Sequence, residues 1–207
     1  MESPVVFDGQ RWSNAEADGV AIVAADPAWP AQFAVEAAAI QAALGRGAAV
    51  PIEHVGSTAV PGLAAKPIID MLLVPPADWP RDSVIGALQG IGYVFWAENP
   101  DPTRMFFVKG MPPFGSRRTH HVHVRSPAEA AQLLRFRDYL RAHPDATAAY
   151  AELKYHLAAA HPTDREAYTR GKDGFVSEIL ARADAEAGVI SHLQHSTPDA
   201  PDPSRDL

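Results

Sequence analysis

Cysteine is absent from all 207 residues. That excludes a disulfide framework, a thiolate metal site and a cysteine nucleophile, and it suits a reducing, cytoplasmic setting. Long apolar runs are missing too. With Glu2, Asp8 and Arg11 in its first dozen residues, the chain has no stretch that reads as a signal peptide or a membrane span, so no membrane partner is expected. Positive charge is also scarce. A formal net charge of −7 argues against bulk nucleic-acid binding, which needs a concentrated basic surface.

What the chain does have is enough apolar residue, 47%, for one substantial core. Residues 1–19 read as a weakly ordered segment, 20–187 as a single domain, and 188–207 as a disordered tail, its last stretch rich in Pro, Asp and Ser. Val20–Val23 reads as a short strand. Phe33, Ala37, Ile40 and Leu44 recur at helical spacing up to Gly45. Val50–Val55 and Lys66–Val74 read as strands around a Pro61-Gly62 turn, the second apolar enough to be covered on both sides. Val84, Leu88 and Ile91 mark a short helix. Three β-type runs follow, at 93–96, 105–108 and 121–124, and predict an antiparallel extension of the sheet. From Pro127 to about Ala187 the pattern is helical, with Thr163-Asp164 as a cap for the last helix. The class is α+β, a mixed sheet with a helical C-terminal third.

The segment Glu53–Asp70, EHVGSTAVPGLAAKPIID, carries the chemistry. Gly56 lets the backbone approach a phosphate, Ser57 and Thr58 with their backbone N–H groups can donate to its oxygens, and a nearby carboxylate can hold a divalent ion. Asp70 is that carboxylate. It sits in an otherwise apolar run, where it needs a metal, a lysine or a set of hydrogen bonds; Lys66, on the same strand face, is one structural partner for it. Between Arg104 and Arg125 lie Lys109, Arg117 and Arg118 and no acidic residue, which fits either a site for a compact polyanion or a solvated hairpin.

This segment resembles the defining motif of the GrpB family, which by fold is similar to the nucleotidyltransferases. Further matches are Asp26-Pro27 with Trp29-Pro30, Arg104 with Phe106-Phe107, His121–Val124, Phe136–Leu140, Tyr150 with Lys154, and Tyr168 with Lys172. The resemblance runs from about Val20 to Ala183. It implies a nucleotidyltransferase-like fold, and a domain that in some bacteria is fused to dephospho-coenzyme A kinase.

One position departs from the superfamily pattern, which places two acidic residues at alternate positions of the second strand to share a pair of magnesium ions. Here the second is Leu72. Replacement ligands are His121 and His123, whose spacing puts both rings on one face of a strand, and Glu53 beside the turn. Asp70, His121, His123 and Glu53 would make a mixed N/O set, favouring zinc or manganese over magnesium; the plainer reading is a pair of hydrogen-bonded histidines. Lys154 and Lys172 each lie four residues after a tyrosine, and either reach phosphates or lay their stems along the core.

Together these residues predict an enzyme that binds a nucleoside triphosphate and a divalent metal and moves a nucleotidyl or phosphoryl group to a small molecule. Asp70, His121 and His123 would be catalytic, and Gly56, Ser57, Thr58, Lys66, Arg104, Lys154 and Lys172 would hold phosphate. The alternatives are a catalytically degenerate ligand-binding module and a His/Asp metal-dependent hydrolase or ligase.

Overall fold

The computed structural model of the protein describes residues 19–45, 50–97, 104–111 and 114–195. Helix α1 (Trp29–Leu44) carries Pro30 in its first turn, where a missing N–H breaks no bond, and stops at Gly45 in the left-handed conformation. Its Ile40 and Leu44 are buried, as the spacing predicts. Val20–Val23 does not form a strand. It makes a single antiparallel bridge from Val23 to Ala65.

Five strands form one mixed sheet. They are β1 (Ile52–Val55), β2 (Ile69–Leu73), β3 (Tyr93–Phe95), β4 (Met105–Lys109) and β5 (His120–Val124), in the spatial order β1-β2-β5-β4-β3. The β3–β4 and β4–β5 pairs are antiparallel, but β5 joins β2 in parallel, so the expected extension is antiparallel only within itself. The reason is the connection. Helix α2 (Arg81–Gln89) and two strands separate β2 from β5, which provides the crossover that a parallel pair requires.

The alternation of residues along β2 and β5 gives the sheet two different faces. Ile69, Met71, Leu73, Val122 and Val124 face α1 and α2 and form the main core with Phe107 and Leu88. Asp70, Leu72, His121 and His123 face the other way, since Asp70 pairs with His121 and Leu72 with His123. Four helices make up the C-terminal third: α3 (Pro127–Ala142), α4 (Pro144–Ala160), α5 (Arg165–Arg170) and α6 (Asp173–His195). A capping box between Ser126 and Glu129 starts α3, and Ala130 packs with Leu72 and Val55 over the second face.

Two boundaries differ from expectation. Asp164 caps the short α5, accepting from Ala167 N–H at 2.9 Å, and the last helix begins later, at Asp173. That helix continues to His195, so 188–195 is helix and not tail; a glycine inside a helix costs only about 1 kcal/mol against alanine and does not by itself end one. Residues 1–18 and 196–207, the rest of the expected flanking segments, lie outside the described residues. Among the described residues no helix is long and apolar enough to cross a membrane.

Candidate active site

At the end of β1 the chain turns at Gly56 (φ 70°, ψ −171°) into a single 3-10 turn, Ser57–Ala59. This conformation is essentially restricted to glycine. Space demands glycine as well, because a Cβ here would lie 2.6 Å from Asp70 Oδ2 and 2.9 Å from Asp70 Cβ. The turn is therefore pressed against the carboxylate. Within the turn the bonded donors are Ala59 and Val60 N–H, which leaves the N–H groups of Ser57 and Thr58 outside its own hydrogen bonds.

Asp70 Oδ1 lies 3.0 Å from His121 Nδ1 and 3.2 Å from His123 Nε2. Burial works against its charge, but the hydrogen bonds from His121 and His123 outweigh it and hold the carboxyl well below the usual carboxylate range. His121 is buried, and desolvation lowers it to about 4 despite the pull of Asp70. The pair at neutral pH is thus a carboxylate and a neutral imidazole. With Nδ1–H given to Asp70, the other nitrogen of His121, Nε2, is a buried acceptor that has no hydrogen-bond partner. Arg125 Nη2 approaches His123 Nδ1 at 3.5 Å, which selects the tautomer with the proton on Nε2, donating to Asp70.

These three side chains are also the group that could hold an ion. One donor atom from each of Asp70, His121 and His123 lies within 4.8 Å of the others. Separations of 3.0 and 3.2 Å suit two ligands on one metal at about 2.1 Å as well as they suit N–H···O bonds. The donor set fits one transition metal ion. It does not fit a pair of magnesium ions, because Leu72, where a second carboxylate would be needed, is fully buried among Val55 and Ala130. Binding at His123 Nε2 would also require moving its proton to Nδ1, at the expense of the Arg125 contact.

Glu53, expected as a ligand, is corrected. It shares the face of Asp70 but lies two residue pairs further along, opposite Leu72, and its Oε2 accepts from Arg137 Nη1 at 2.9 Å. The roles expected of the Thr58 hydroxyl, Arg104 and Lys154 are corrected too. Thr58 is buried and its hydroxyl donates to Ile68 O at 3.2 Å, so its oxygen accepts the proton of His54 Nε2 at 3.0 Å; this fastens the turn and leaves no hydroxyl proton for a ligand. His54 stays neutral for that task, lowered to about 4 chiefly by burial. Arg104 Nε donates to Glu129 Oε1 at 2.6 Å, away from the cleft. Lys154 is buried with its ammonium on the Ala64 carbonyl and over the Tyr150 ring, and burial lowers it to about 7.

A cleft of about 1080 Å³ opens over Asp70 and both histidines. Gly56, Ser57, Lys66 and Lys172 line it, together with Arg118 and Arg165. The ammoniums of Lys66 and Lys172 lie 5.0 and 4.7 Å from the centroid of the Tyr168 ring. Burial, followed by the charges of Arg165 and Lys172, lowers Lys66 to about 7. A bound anion would relieve that repulsion. Tyr150, buried and stacked on Phe175 at 4.9 Å, lines the same cleft.

The basic segment 104–125 mostly serves elsewhere. Lys109 pairs with Glu36 at 2.7 Å on the opposite face of the sheet, Arg117 is exposed, and Arg125 donates to Met105 O and Val124 O; Arg118 alone of these lines the cleft. Arg165 was legible only as part of a cationic run, Arg165, Arg170 and Lys172, around Tyr168. Arg170 stays at the rim with Glu166, at 3.3 Å.

Fold and site together define a mixed α+β domain with a glycine-serine turn seated on a histidine-bound carboxylate under a cationic cleft. The chain belongs to the GrpB family, whose model, described as GrpB protein, matches residues 19–182. A UPF0157 protein of Pseudomonas aeruginosa is 61% identical over 183 residues, covering 87% of this chain and 74% of that protein. The crystal structure of the conserved protein GrpB from Enterococcus faecalis superposes with a TM-score of 0.71 at 36% identity, covering 81% of this chain and 99% of that one. A dephospho-CoA kinase of Mycolicibacterium paratuberculosis is 30% identical over 188 residues, 79% of this chain but 46% of its own length.

Proposed function

We propose that this domain is a nucleotidyltransferase-like enzyme that binds a nucleoside triphosphate with one divalent transition metal and transfers a nucleotidyl or phosphoryl group to a small acceptor. The observation that carries the reading is the seating of Gly56 directly on Asp70, which brings the free donors of the turn, a carboxylate held ionised by two histidines, and the Lys66–Lys172 pair into one cleft. Ser57 and the N–H groups of the turn donate to phosphate oxygens. Lys66, Lys172 and Arg165 neutralise them. Asp70, His121 and His123 hold the metal, which when bound would offset charge developing on the transferred phosphorus group. At the separations given above both histidines would first move a proton, His121 from Nδ1 to Nε2 and His123 from Nε2 to Nδ1, the second at the expense of its contact with Arg125.

Calorimetry of the chelator-free protein with nucleoside triphosphates and Mn tests the reading. Asp70→Asn and His121→Ala should each weaken metal binding by more than about tenfold. Unchanged affinity in both variants sinks the metal assignment, and no nucleotide binding at all sinks the function.

The burial of Leu72 favours a second reading, a binding module that holds nucleotide without turning it over. Metal-dependent turnover that disappears in Asp70→Asn would rule it out.

A further inference from the structure

Beyond the histidines the second face of the sheet continues onto β4 and β3. Phe106 is opposite His123 and Val108 opposite His121, Val94 is opposite Val108, and Trp96 N–H donates to Phe106 O at 2.9 Å. All four side chains line the same cleft as Asp70. Val94 and Val108 are buried, whereas Trp96 and Phe106 are only half-buried.

The two aromatic rings form a corner. Trp96 stands nearly perpendicular to Phe106, at 77° and 6.0 Å between centroids, and Phe106 in turn contacts His121 at 4.9 Å and His123 at 5.0 Å. The corner therefore starts at the histidines and runs away from Asp70 across the strands. At the spacing of paired strands, β4 and β3 lie about 10 and 14 Å from β2. The cationic groups of the cleft lie outside β3 and β4: Lys66 just before β2, Arg118 just before β5, and Arg165 and Lys172 at the two ends of α5, with Lys66 and Lys172 both beside Tyr168.

We infer that the Trp96–Phe106 corner is the subsite for the base of the nucleotide, with Val94 and Val108 as its floor. This rests on the function proposed above. A ligand with an anionic end and a flat apolar end can satisfy the cleft in one direction only: phosphates on Lys66, Lys172 and Ser57, the sugar passing Asp70 and the histidines, and the ring in the corner. Stacking on an aromatic side chain is available to every base, so the corner confers a preference for nucleotides over bare polyphosphate without selecting one base.

Calorimetry in the presence of Mn with two probes, ATP and inorganic triphosphate, tests the subsite in the full chain. ATP should bind more tightly than triphosphate. Trp96→Ala should weaken ATP by about 5- to 150-fold, the worth of one stacked base, and leave triphosphate unchanged. Trp96→Phe should restore ATP binding. Phe106→Leu, which keeps the volume close to native, should reproduce the loss selectively. Equal binding of the two probes, or equal loss of both in Trp96→Ala, overturns the subsite and leaves the enzyme reading standing. Failure of both probes to bind overturns the two together. As a second readout, ATP should quench tryptophan fluorescence in the native protein and not in Trp96→Phe; identical quenching in both would count against the corner.

Discussion

Replacing Gly56 by alanine should strike the fold and the candidate site together. Two costs combine. The backbone at φ 70°, ψ −171° lies where a side chain costs about 1–3 kcal/mol. The new Cβ would also meet Asp70 Oδ2 at 2.6 Å, and Asp70 cannot yield without stretching its bonds to His121 and His123. Hydrogen bonds to a charged group are worth about 1.5–3 kcal/mol, and with Asp70 a quarter exposed the lower end applies. The expected total is roughly 3–5 kcal/mol, a large share of the stability of a domain this size. Urea unfolding should show a lower midpoint at unchanged slope. In an Asp70→Gly background all three atoms near the new Cβ are gone, so the same substitution should cost only the backbone strain, about 1–3 kcal/mol. Equal cost in the two backgrounds would refute the contact. A cost under about 0.5 kcal/mol in the native background, typical of surface changes, would refute the backbone argument too.

Acid should loosen the fold through two histidines. His54 and His121 are each lowered from 6.5 to about 4, so the unfolded chain takes up protons that the folded chain refuses, and their contribution is complete above pH 6.5 and lost as the pH falls towards 4. Asp70 titrates below that window, being held below the usual carboxylate range. Urea midpoints measured from about pH 4.5 to 7.5 should fall with pH, and a His54→Gln/His121→Gln double variant should flatten the curve; an unchanged slope would remove both groups from the account. Arg137 should matter to stability, and Glu53 should not matter to metal binding. Arg137→Ala removes the donor to Glu53 and to the His54 carbonyl and should cost about 2–3 kcal/mol in urea unfolding, with no rescue by lysine, which lacks the forked geometry. Glu53→Gln should leave Mn affinity unchanged in calorimetry, and a tenfold loss would restore it as a ligand.

The sheet and its chemistry were legible because both follow from short-range pattern. A carboxylate in an apolar run had to be a central-strand residue with partners, and His121-Val122-His123-Val124 had to place two imidazoles on one face and two valines on the other. The family motif and the period-2 count together led to the Asp70–His121–His123 group. The parallel joint between β2 and β5 left no such mark, since pairing direction depends on the route of the intervening chain.

Where sequence reasoning went astray, the deciding neighbour came from far along the chain. Glu53 has the right face and the right position beside the turn, but Arg137 on α3 reaches it and turns it into a support for β1. The two tyrosine-lysine pairs make the point more sharply. Tyr150 with Lys154 and Tyr168 with Lys172 have the same local signature, and burial depresses the ammonium in both. Lys154 nevertheless points into the core, onto the Ala64 carbonyl, while Lys172 faces the cleft. Packing of the short α5 against α4 separates the two outcomes. A Cβ at Gly171 would collide with Leu157, so glycine there lets the end of α5 press onto α4, and the next residue, Lys172, emerges beside Tyr168 and Lys66. The cationic wall of the site thus depends on a glycine that carries no charge and makes no contact with ligand, and a Gly171→Ala variant should weaken triphosphate binding by displacing Lys172 while leaving the metal affinity at Asp70 intact.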